Sequence, residues 1–449
     1  MSETKPNIHW PTVGFRFAQP NLLKMNEILL RHAGDPDYAT LPGYRRSGGY
    51  EALRMAIDRS PETLVQEVIR SGLRGRGGGG YPTGLKWEQV LKAPGGERVV
   101  ICNAAEGEPG SLKDRYLLRI APHQVLEGIW IAARAVKAAK AYLFIKQVFS
   151  RELTVVKRAL EECRDARSVS GEVADPEEIE IIEGPDHYLA GEETALLEVM
   201  EGRPPVPRQK PPYYPAYYGF QGKPTVINNV ETLANVPAII REGASWFSRF
   251  GTAESPGTML VTLSGDVNRP GVYELPMGTS MRKLIWDLGG GISGGSVEPS
   301  EKNGVKAVFP GGPSSAVLTA GQLDTPLSFE ALRNAGSTLG AGAVRVLSHQ
   351  RCMVREAVRH ANFFRDGSCG QCPACHMGTH NLSVVLERVQ KGEGHSGDLN
   401  SLAELCRFMP GRGSCGLITG AALCVGSLLA NFRDEFESHA RGEPCPFRD

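Results

Sequence analysis

The sequence predicts an α/β protein followed by a smaller α+β unit and a helical, cysteine-bearing C-terminal part. Three observations carry that reading. Between Gly49 and Gly243 helical stretches alternate with short apolar strands, the pattern of a sheet with helices packed on it. Near residue 250 the alternation gives way to a hairpin, and from about Pro326 the pattern turns helical to the end. Eight of the ten cysteines fall within the last hundred residues, which in a reducing compartment points to metal ligation sooner than to disulfides. The expected division is an arm at 1–50, the α/β domain at 51–245, the α+β unit at 250–330, a four-helix bundle at 335–437 and a tail at 438–449.

Taken in order, residues 1–50 are rich in Pro, Gly and Arg, with one helical candidate at 22–32, and read as an arm laid over the body or a partner. Residues 64–70 form a helix with apolar positions 64, 65, 68 and 69. Strands are expected at 98–103, 141–145 and 178–182, and helices at 123–140 and 154–163. Residues 258–267 and 271–275 form a hairpin that turns at Asn268-Arg269-Pro270, followed by a helix at 280–288 and a strand at 307–309. The bundle helices are expected at 354–364, 379–391, 401–408 and 418–437.

The chain has 449 residues, with 50 basic and 50 acidic side chains. Zero net charge excludes a general attraction to nucleic acid or anionic membrane. No window approaches the ~20 apolar residues of a membrane span, and the N-terminus lacks the apolar core of a signal peptide. A cytoplasmic protein is expected.

One stretch organises the rest: Ser71-Gly72-Leu73-Arg74-Gly75-Arg76-Gly77-Gly78-Gly79-Gly80-Tyr81-Pro82-Thr83-Gly84-Leu85-Lys86-Trp87. Residues without a Cβ let the backbone lie against a ligand and present its N–H groups to phosphate. Arg74, Arg76 and Lys86 are the available counter-charges. The spacing Gly75-x-Gly77-x-x-Gly80 matches the dinucleotide fingerprint, but the loop follows a helix where a Rossmann loop follows a strand. It therefore reads as a Rossmann-like but non-standard nucleotide or flavin cradle. A flexible linker would be rich in serine and lack these flanking aromatics and charges.

Cys369-Gly370-Gln371-Cys372-Pro373-Ala374-Cys375 is the sharpest signal. Three thiolates at C-x2-C-x2-C spacing with a remote fourth are the habit of a [4Fe–4S] cluster, whereas four-cysteine zinc sites present two separated pairs. Cys415, in a Gly-flanked loop before a helix, is the expected fourth ligand. Cys406 and Cys424 sit at apolar helical positions and read as packing thiols, and Cys352 and Cys445 as bystanders.

Three further segments carry polar groups toward the expected sheet edge. The run from Cys102 to Arg115 leaves a strand end and brings Asn103, Glu106 and Glu108. Gly191-Glu192-Glu193 opens a helix whose dipole suits acids, and the proline-rich run after it holds Lys210 and Tyr213, as a ligand-positioning segment or a plain rigid spacer. Asn228 and Asn229 end an apolar strand with amides able to pair with a heterocycle.

Together these motifs resemble the NADH-oxidising flavoprotein subunit of respiratory complex I and its relatives in NAD-linked formate dehydrogenases, hydrogenases and aldehyde oxidoreductases. The resemblance spans about residues 55–437 and rests on Gly72-Leu73-Arg74-Gly75-Arg76-Gly77-Gly78, Gly191-Glu192-Glu193-Thr194-Ala195-Leu196, Asn228-Asn229-Val230-Glu231-Thr232-Leu233 and Ser368-Cys369-Gly370-Gln371-Cys372. It implies a flavin domain, a β-grasp-like middle domain and a helical bundle carrying the cluster. By motif, the flavin contacts would be Gly75, Arg76, Gly77, Lys86, Asn103, Gly191, Asn228 and Asn229. The NAD contacts would be Tyr81, Glu108, Glu193, Lys210 and Tyr213, and the cluster ligands Cys369, Cys372, Cys375 and Cys415.

Ala105 stands where the family usually has an acid, which leaves FAD open beside FMN. Gln89 stands where an aromatic is usual, leaving Tyr81 and Tyr213 to stack the adenine. The implied function is hydride transfer between NAD(H) and flavin N5, with no catalytic side chain required, followed by one-electron transfer through the cluster. Because the sequence shows no thioredoxin-like or ferredoxin-like cysteine sets, the electrons are expected to pass to or from separate redox subunits, quinone-linked or substrate-oxidising. The alternative is a non-catalytic relay or scaffold subunit that has lost NAD binding.

Overall fold

A computed structural model describes residues 28–170, 178–294 and 304–447. Four parallel strands, β1 (Arg98–Ala104), β2 (Ala138–Lys146), β3 (Ile179–Gly184) and β4 (Thr225–Asn229), form one sheet in the order β3-β2-β1-β4. Val99–Cys102 of β1, Ala141–Ile145 of β2 and Thr225–Ile227 of β4 are continuously buried because both faces are covered, whereas the edge strand β3 exposes Glu180 and Glu183. Val100, Cys102 and Ala104 enter a large core with the helices Pro122–Val136 and Val230–Glu242. Val99 and Ile101 point the other way, into a smaller core with Leu196 and Leu197. Parallel pairing puts all four C-terminal strand ends on one edge, with Cys102 opposite Asn228 and Asn103 opposite Asn229. Ligands of open α/β sheets bind at such an edge.

The second sheet contains β5 (Thr258–Gly265), β6 (Gly271–Pro276), β7 (Val305–Phe309), β8 (Leu318–Thr319) and β9 (Ala343–Ser348), in the order β6-β5-β9-β7-β8. The expected hairpin is β5–β6, antiparallel with Leu263 opposite Gly271. Strand β9 corrects the sequence reading, which ended this unit at 330 and made the chain helical from about Pro326. Residues 343–348 run between β5 and β7 at the middle of the sheet. Val344 and Val346 fill the sheet's own core, and Leu347 on the opposite face joins the core of the C-terminal helices. That period-two alternation was visible in the sequence.

Five helices follow: Met353–Gly367, Pro373–Gln390, Asp398–Phe408, Leu417–Asn431 and Arg433–Ala440. The single helix expected at 418–437 is broken at Phe432, whose φ of −129° and ψ of 33° leave the helical region. The helix expected at 123–140 stops at Val136. Lys137 takes a left-handed φ of 54°, and Ala138 pairs with Arg98 as the start of β2. Sheet pairing here overrides the helix propensity of an alanine-rich run.

Of the helix expected at 22–32, residues 22–27 lie outside the described residues and 28–32 run as bend and turn. The N–H groups of Ile28, Leu29 and Leu30 each donate to the buried Glu274 carboxylate at 2.9 Å. This part of the arm is thus tied to the second sheet. No helix among the described residues is long and apolar enough to cross a membrane.

Candidate functional site

The helix Pro61–Ser71 ends at Gly72 with a left-handed φ of 66°, and the glycine loop then crosses the C-terminal end of β4. Its two ends are tied where Gly75 N–H donates to the Tyr81 carbonyl at 2.8 Å. A Cβ on Gly77 would stand 3.1 Å from Asn229 Cβ, and one on Gly80 2.7 Å from the Phe329 ring, so the backbone has no room for side chains there. At Gly79 nothing lies within 4 Å, and this part of the loop faces open space. The next helix, Thr83–Lys92, begins behind Pro82 without a side-chain cap, a helix end suited to an electron-rich group.

Two of the three expected counter-charges do not face that space. Arg76 is fully buried. It donates from its backbone N–H to Thr232 Oγ1 at 2.8 Å and from its guanidinium to the Pro256 carbonyl at 3.0 Å, 4.0 Å from Glu231. Burial pulls its pKa down to about 10, more than Glu231 raises it. Arg74 pairs with Glu330 and lies 4.2 Å over the Phe329 ring. Both guanidinium groups clamp the loop to segments beside the second sheet, the residues before β5 and the helix Phe329–Asn334. Only Lys86 remains at the opening.

The amides at the sheet edge are likewise engaged. Asn103 Nδ2 donates to the Gly191 carbonyl at 2.9 Å, and its Oδ1 accepts from Ala105 N–H. Asn228 Oδ1 accepts from Trp87 Nε1 at 2.7 Å. Asn229 caps the Val230–Glu242 helix, donates to Asp114 at 2.6 Å and accepts from Lys113 at 3.3 Å. Lys113 itself is buried 2.8 Å from both Asp114 and Glu231. Asn229, expected as a flavin contact, therefore spends its amide on this ionic network, as Arg76 spends its guanidinium. The sequence reading gave Lys113, Asp114 and Glu231 no role at the site, because their pairing joins segments far apart in the chain.

At the opening, Lys86 Nζ donates to Glu193 at 3.0 Å and to the Ile227 carbonyl at 3.1 Å, and Lys210 Nζ donates to Glu192 at 2.9 Å. Burial would raise the Glu193 carboxyl, but the two ammonium groups outweigh it and hold it below the usual range. Tyr81 and Tyr213 are half exposed. Gln89 Nε2 donates to the Tyr81 hydroxyl at 2.8 Å and fixes that ring. The run after Arg203 is no free spacer, since Arg208 pairs with Glu198 and Glu201 and folds it back on the Glu193–Met200 helix.

Glu108 lies at the junction with the second sheet. It accepts from Ser314 N–H at 3.1 Å, Ser314 Oγ at 3.2 Å and the Tyr188 hydroxyl at 3.0 Å. Burial dominates these donors and pushes its pKa up to about 7. Ser314 was missed, although Pro310-Gly311-Gly312-Pro313 after a strand signals a shaped loop.

Cys369, Cys372, Cys375 and Cys415 line one pocket. Ser414 N–H approaches Cys372 Sγ at 3.3 Å, and Ser368 Oγ lies 3.5 Å from Cys375 Sγ. Burial raises the Cys415 thiol to about 11, against a backbone N–H donated by Leu417. Cys406 and Cys424 are buried in their helices and do not line the pocket. Four thiols with backbone N–H donors fit an iron–sulfur centre. Leu189 and Pro207, from the segment between β3 and β4, also line the pocket.

One short turn, Tyr188–Gly191, thus reaches three parts of the site. Tyr188 reaches Glu108, Leu189 walls the cysteine pocket, and the Gly191 carbonyl binds Asn103. A lone tyrosine before a glycine carries no sequence signal of that role.

Over 424 residues the chain is 42% identical to the F 2 subunit of the NADH-quinone oxidoreductase of Rhizobium meliloti, an alignment covering 94% of this chain and 99% of that one. The chain belongs to the NADH-quinone oxidoreductase-F family. Residues 68–238 match the Nuo51 FMN-binding domain, 260–314 the SLBB domain, and 355–439 the NADH-ubiquinone oxidoreductase-F iron-sulfur binding region. The first of these covers the glycine loop and the sheet edge, and the last covers all four pocket cysteines. Family membership makes the chain an NADH-oxidising flavoprotein component with FMN- and [4Fe–4S]-binding regions, and FMN answers the alternative that Ala105 left open.

The family reaches beyond one kind of complex. The NADP-reducing hydrogenase subunit HndC of Solidesulfovibrio fructosivorans is 37% identical over 94% of this chain and 85% of its own length. The crystal structure of an NAD+-reducing [NiFe]-hydrogenase in the H2-reduced state superposes with a TM-score of 0.77 at 36% identity, covering 88% of this chain. This chain spans 64% of that longer one.

Proposed function

We propose that the chain takes hydride from NADH, or returns it to NAD+, at a flavin in the glycine-loop cradle, and exchanges single electrons with a partner redox subunit through a cluster on Cys369, Cys372, Cys375 and Cys415. The proposed arrangement is an FMN domain, a β-grasp-like SLBB domain and a helical bundle, in a cytoplasmic subunit. The flavin supplies hydride chemistry at N5 and the two-to-one electron conversion, and the cluster supplies the one-electron relay. The protein's part is to bind, orient and exclude water.

Gly75 and Gly77 let the loop backbone approach the flavin, and Gly191 gives the same access from the facing turn. Lys86, Asn103 and the amide NH2 of Asn228 supply polar contacts. Arg76 and Asn229 hold the cradle's walls in place. The dinucleotide lies on the open side, with Tyr81 and Tyr213 against its adenine. Glu108, Glu193 and Lys210 bind its ribose and amide groups. Ionised Glu108 accepts hydrogen bonds there, so the group must lose its proton for tightest binding.

The observation that carries this reading is the Tyr188–Gly191 turn, which joins the Glu108 end, the cradle and the cysteine pocket within four residues. Anaerobic titration of the flavin- and cluster-loaded protein with NADH tests it. Flavin absorbance should bleach, and the EPR signal of a reduced cluster should follow. A flavin that NADH cannot reduce would overturn the proposal in favour of a relay subunit.

A further inference from the structure

Away from the cysteine pocket, three more soft donors meet. Cys352 immediately precedes the Met353–Gly367 helix, His439 lies in the last turn of Arg433–Ala440, and Cys445 follows in the tail. The sequence reading left Cys352 and Cys445 as bystanders. In the fold their ligand atoms and a ring nitrogen of His439 all lie within 4.8 Å of one another, and Cys352 Sγ is 3.4 Å from His439 Nε2. A tetrahedral zinc site with bonds of ~2.0–2.3 Å places its ligand atoms about 3.5 Å apart. The three donors therefore need little movement to share one ion.

The surroundings also fit. Cys352 and His439 are buried, and Cys445 is partly exposed. His439 Nδ1 is 3.4 Å from the Gln390 carbonyl, so a proton held on Nδ1 leaves the Nε2 lone pair facing the thiols. That is how a metal-bound imidazole is oriented by its outer partner. Cys352 stands at a helix N-terminus, where N–H groups and the dipole favour a thiolate. Two cations near the tail are committed elsewhere: Arg441 pairs with Glu443 at 2.7 Å, and Lys306 is held by three partners. Lys306 pairs with Glu435 at 2.5 Å, donates to the Arg351 carbonyl and lies 3.6 Å over the Phe447 ring. The tail is thus already folded back, with the Phe447 ring under Lys306 and Cys445 beside Cys352 and His439.

We propose that Cys352, His439 and Cys445 bind one zinc ion, with a fourth position open to solvent. Two thiolates and an imidazole are a borderline-soft set that suits zinc. The ion would staple the C-terminal tail to one end of the Met353–Gly367 helix, whose other end leads into Cys369. Zinc has no redox chemistry, so the ion would take no part in the electron relay.

The test uses the full chain with its flavin and cluster, purified anaerobically without chelators, with zinc and iron measured by plasma mass spectrometry. The wild type should carry about one zinc per chain beside the cluster iron. Cys445→Ser and His439→Gln should each lower zinc by roughly tenfold after dialysis, while iron and flavin stay at wild-type levels and report an intact fold. Four results would overturn the proposal. One is a wild type that holds no zinc and takes up none when it is added. The others are variants that keep their zinc, iron at this site in place of zinc, and a Cys352–Cys445 disulfide seen by intact mass.

Discussion

At the cysteine pocket the donors are thiols whose neighbours are serine hydroxyls and backbone N–H groups, whereas at the dinucleotide opening Lys86, Lys210, Glu192 and Glu193 already neutralise one another. The first region is a ligand set short of its positive charge. Burial pushes the Cys375 and Cys415 thiols up, and binding a metal takes the place of their protons. The second is a charge-balanced surface, where an arriving nucleotide rearranges ion pairs instead of satisfying empty ones, so the net gain per contact is small. Losing a donor should then be close to all-or-none in the pocket and graded at the opening.

The sharpest break in that comparison is Cys415→Ser. It should lose the cluster, read as iron content and the EPR signal of the reduced protein, while flavin stays bound. Cys406→Ser and Cys424→Ser should keep both iron and spectrum, because neither thiol faces the pocket. A normal cluster in Cys415→Ser would mean that the pocket's ligand set is wrong.

Gly77→Val extends the comparison to the cradle between the two regions. A Cβ at Gly77 already stands 3.1 Å from Asn229 Cβ, and valine's methyl groups require more space still. The expected product holds its cluster iron but little flavin. Flavin at wild-type stoichiometry would remove the glycine loop from the cradle.

The pocket and the opening also differ in how far the sequence revealed them. Cysteine spacing is local chemistry, so the triplet could be read directly, and the fold needed only to deliver Cys415. The four strands were legible from apolar runs. Strand β9 was hidden behind an assumption of helix, although Val344 and Val346 alternate around Arg345. At the opening, residue types were legible but their partners were not. Nothing local says that Arg76 turns inward to Pro256 or that Asn229 is held by Asp114, since those contacts join segments far apart in the chain. Tyr188 had no signal at all.

Glu108→Gln tests the graded behaviour. Removing a hydrogen bond to a charged group costs ~1.5–3 kcal/mol, so half-maximal flavin reduction should need roughly ten- to a hundred-fold more NADH. Flavin and cluster content should be unchanged. In the wild type, NADH affinity should weaken as pH falls through about 7, where Glu108 takes up its proton. The native state holds that proton above the ordinary value of 4.5, so this group's contribution to stability falls as pH rises from about 4.5 to 7. Glutamine should flatten both dependences. An unaltered pH profile would place the titrating group elsewhere.

Tyr188→Phe should have the smallest effect and distinguishes a positioning role from a binding one. The hydroxyl donates to Glu108 at 3.0 Å and lies 3.2 Å from Ser314 Oγ, while the ring packs edge-on against Phe363 with centroids 4.9 Å apart. Phenylalanine keeps the ring and removes only the donor. A net hydrogen bond of ~0.5–1.5 kcal/mol predicts a roughly two- to tenfold rise in the NADH needed for half-maximal flavin reduction. Because the hydroxyl helps hold the carboxylate form of Glu108, its loss should also move the midpoint of the pH profile upward. A merely structural tyrosine would leave that midpoint alone. Electron entry into the cluster from an artificial one-electron donor should be unchanged, since Leu189, the wall of the cysteine pocket, stays in place. A shifted midpoint with unchanged cluster reduction would confine Tyr188 to the opening. A slowed cluster would mean that the turn couples the two regions more tightly than their separate chemistry implies.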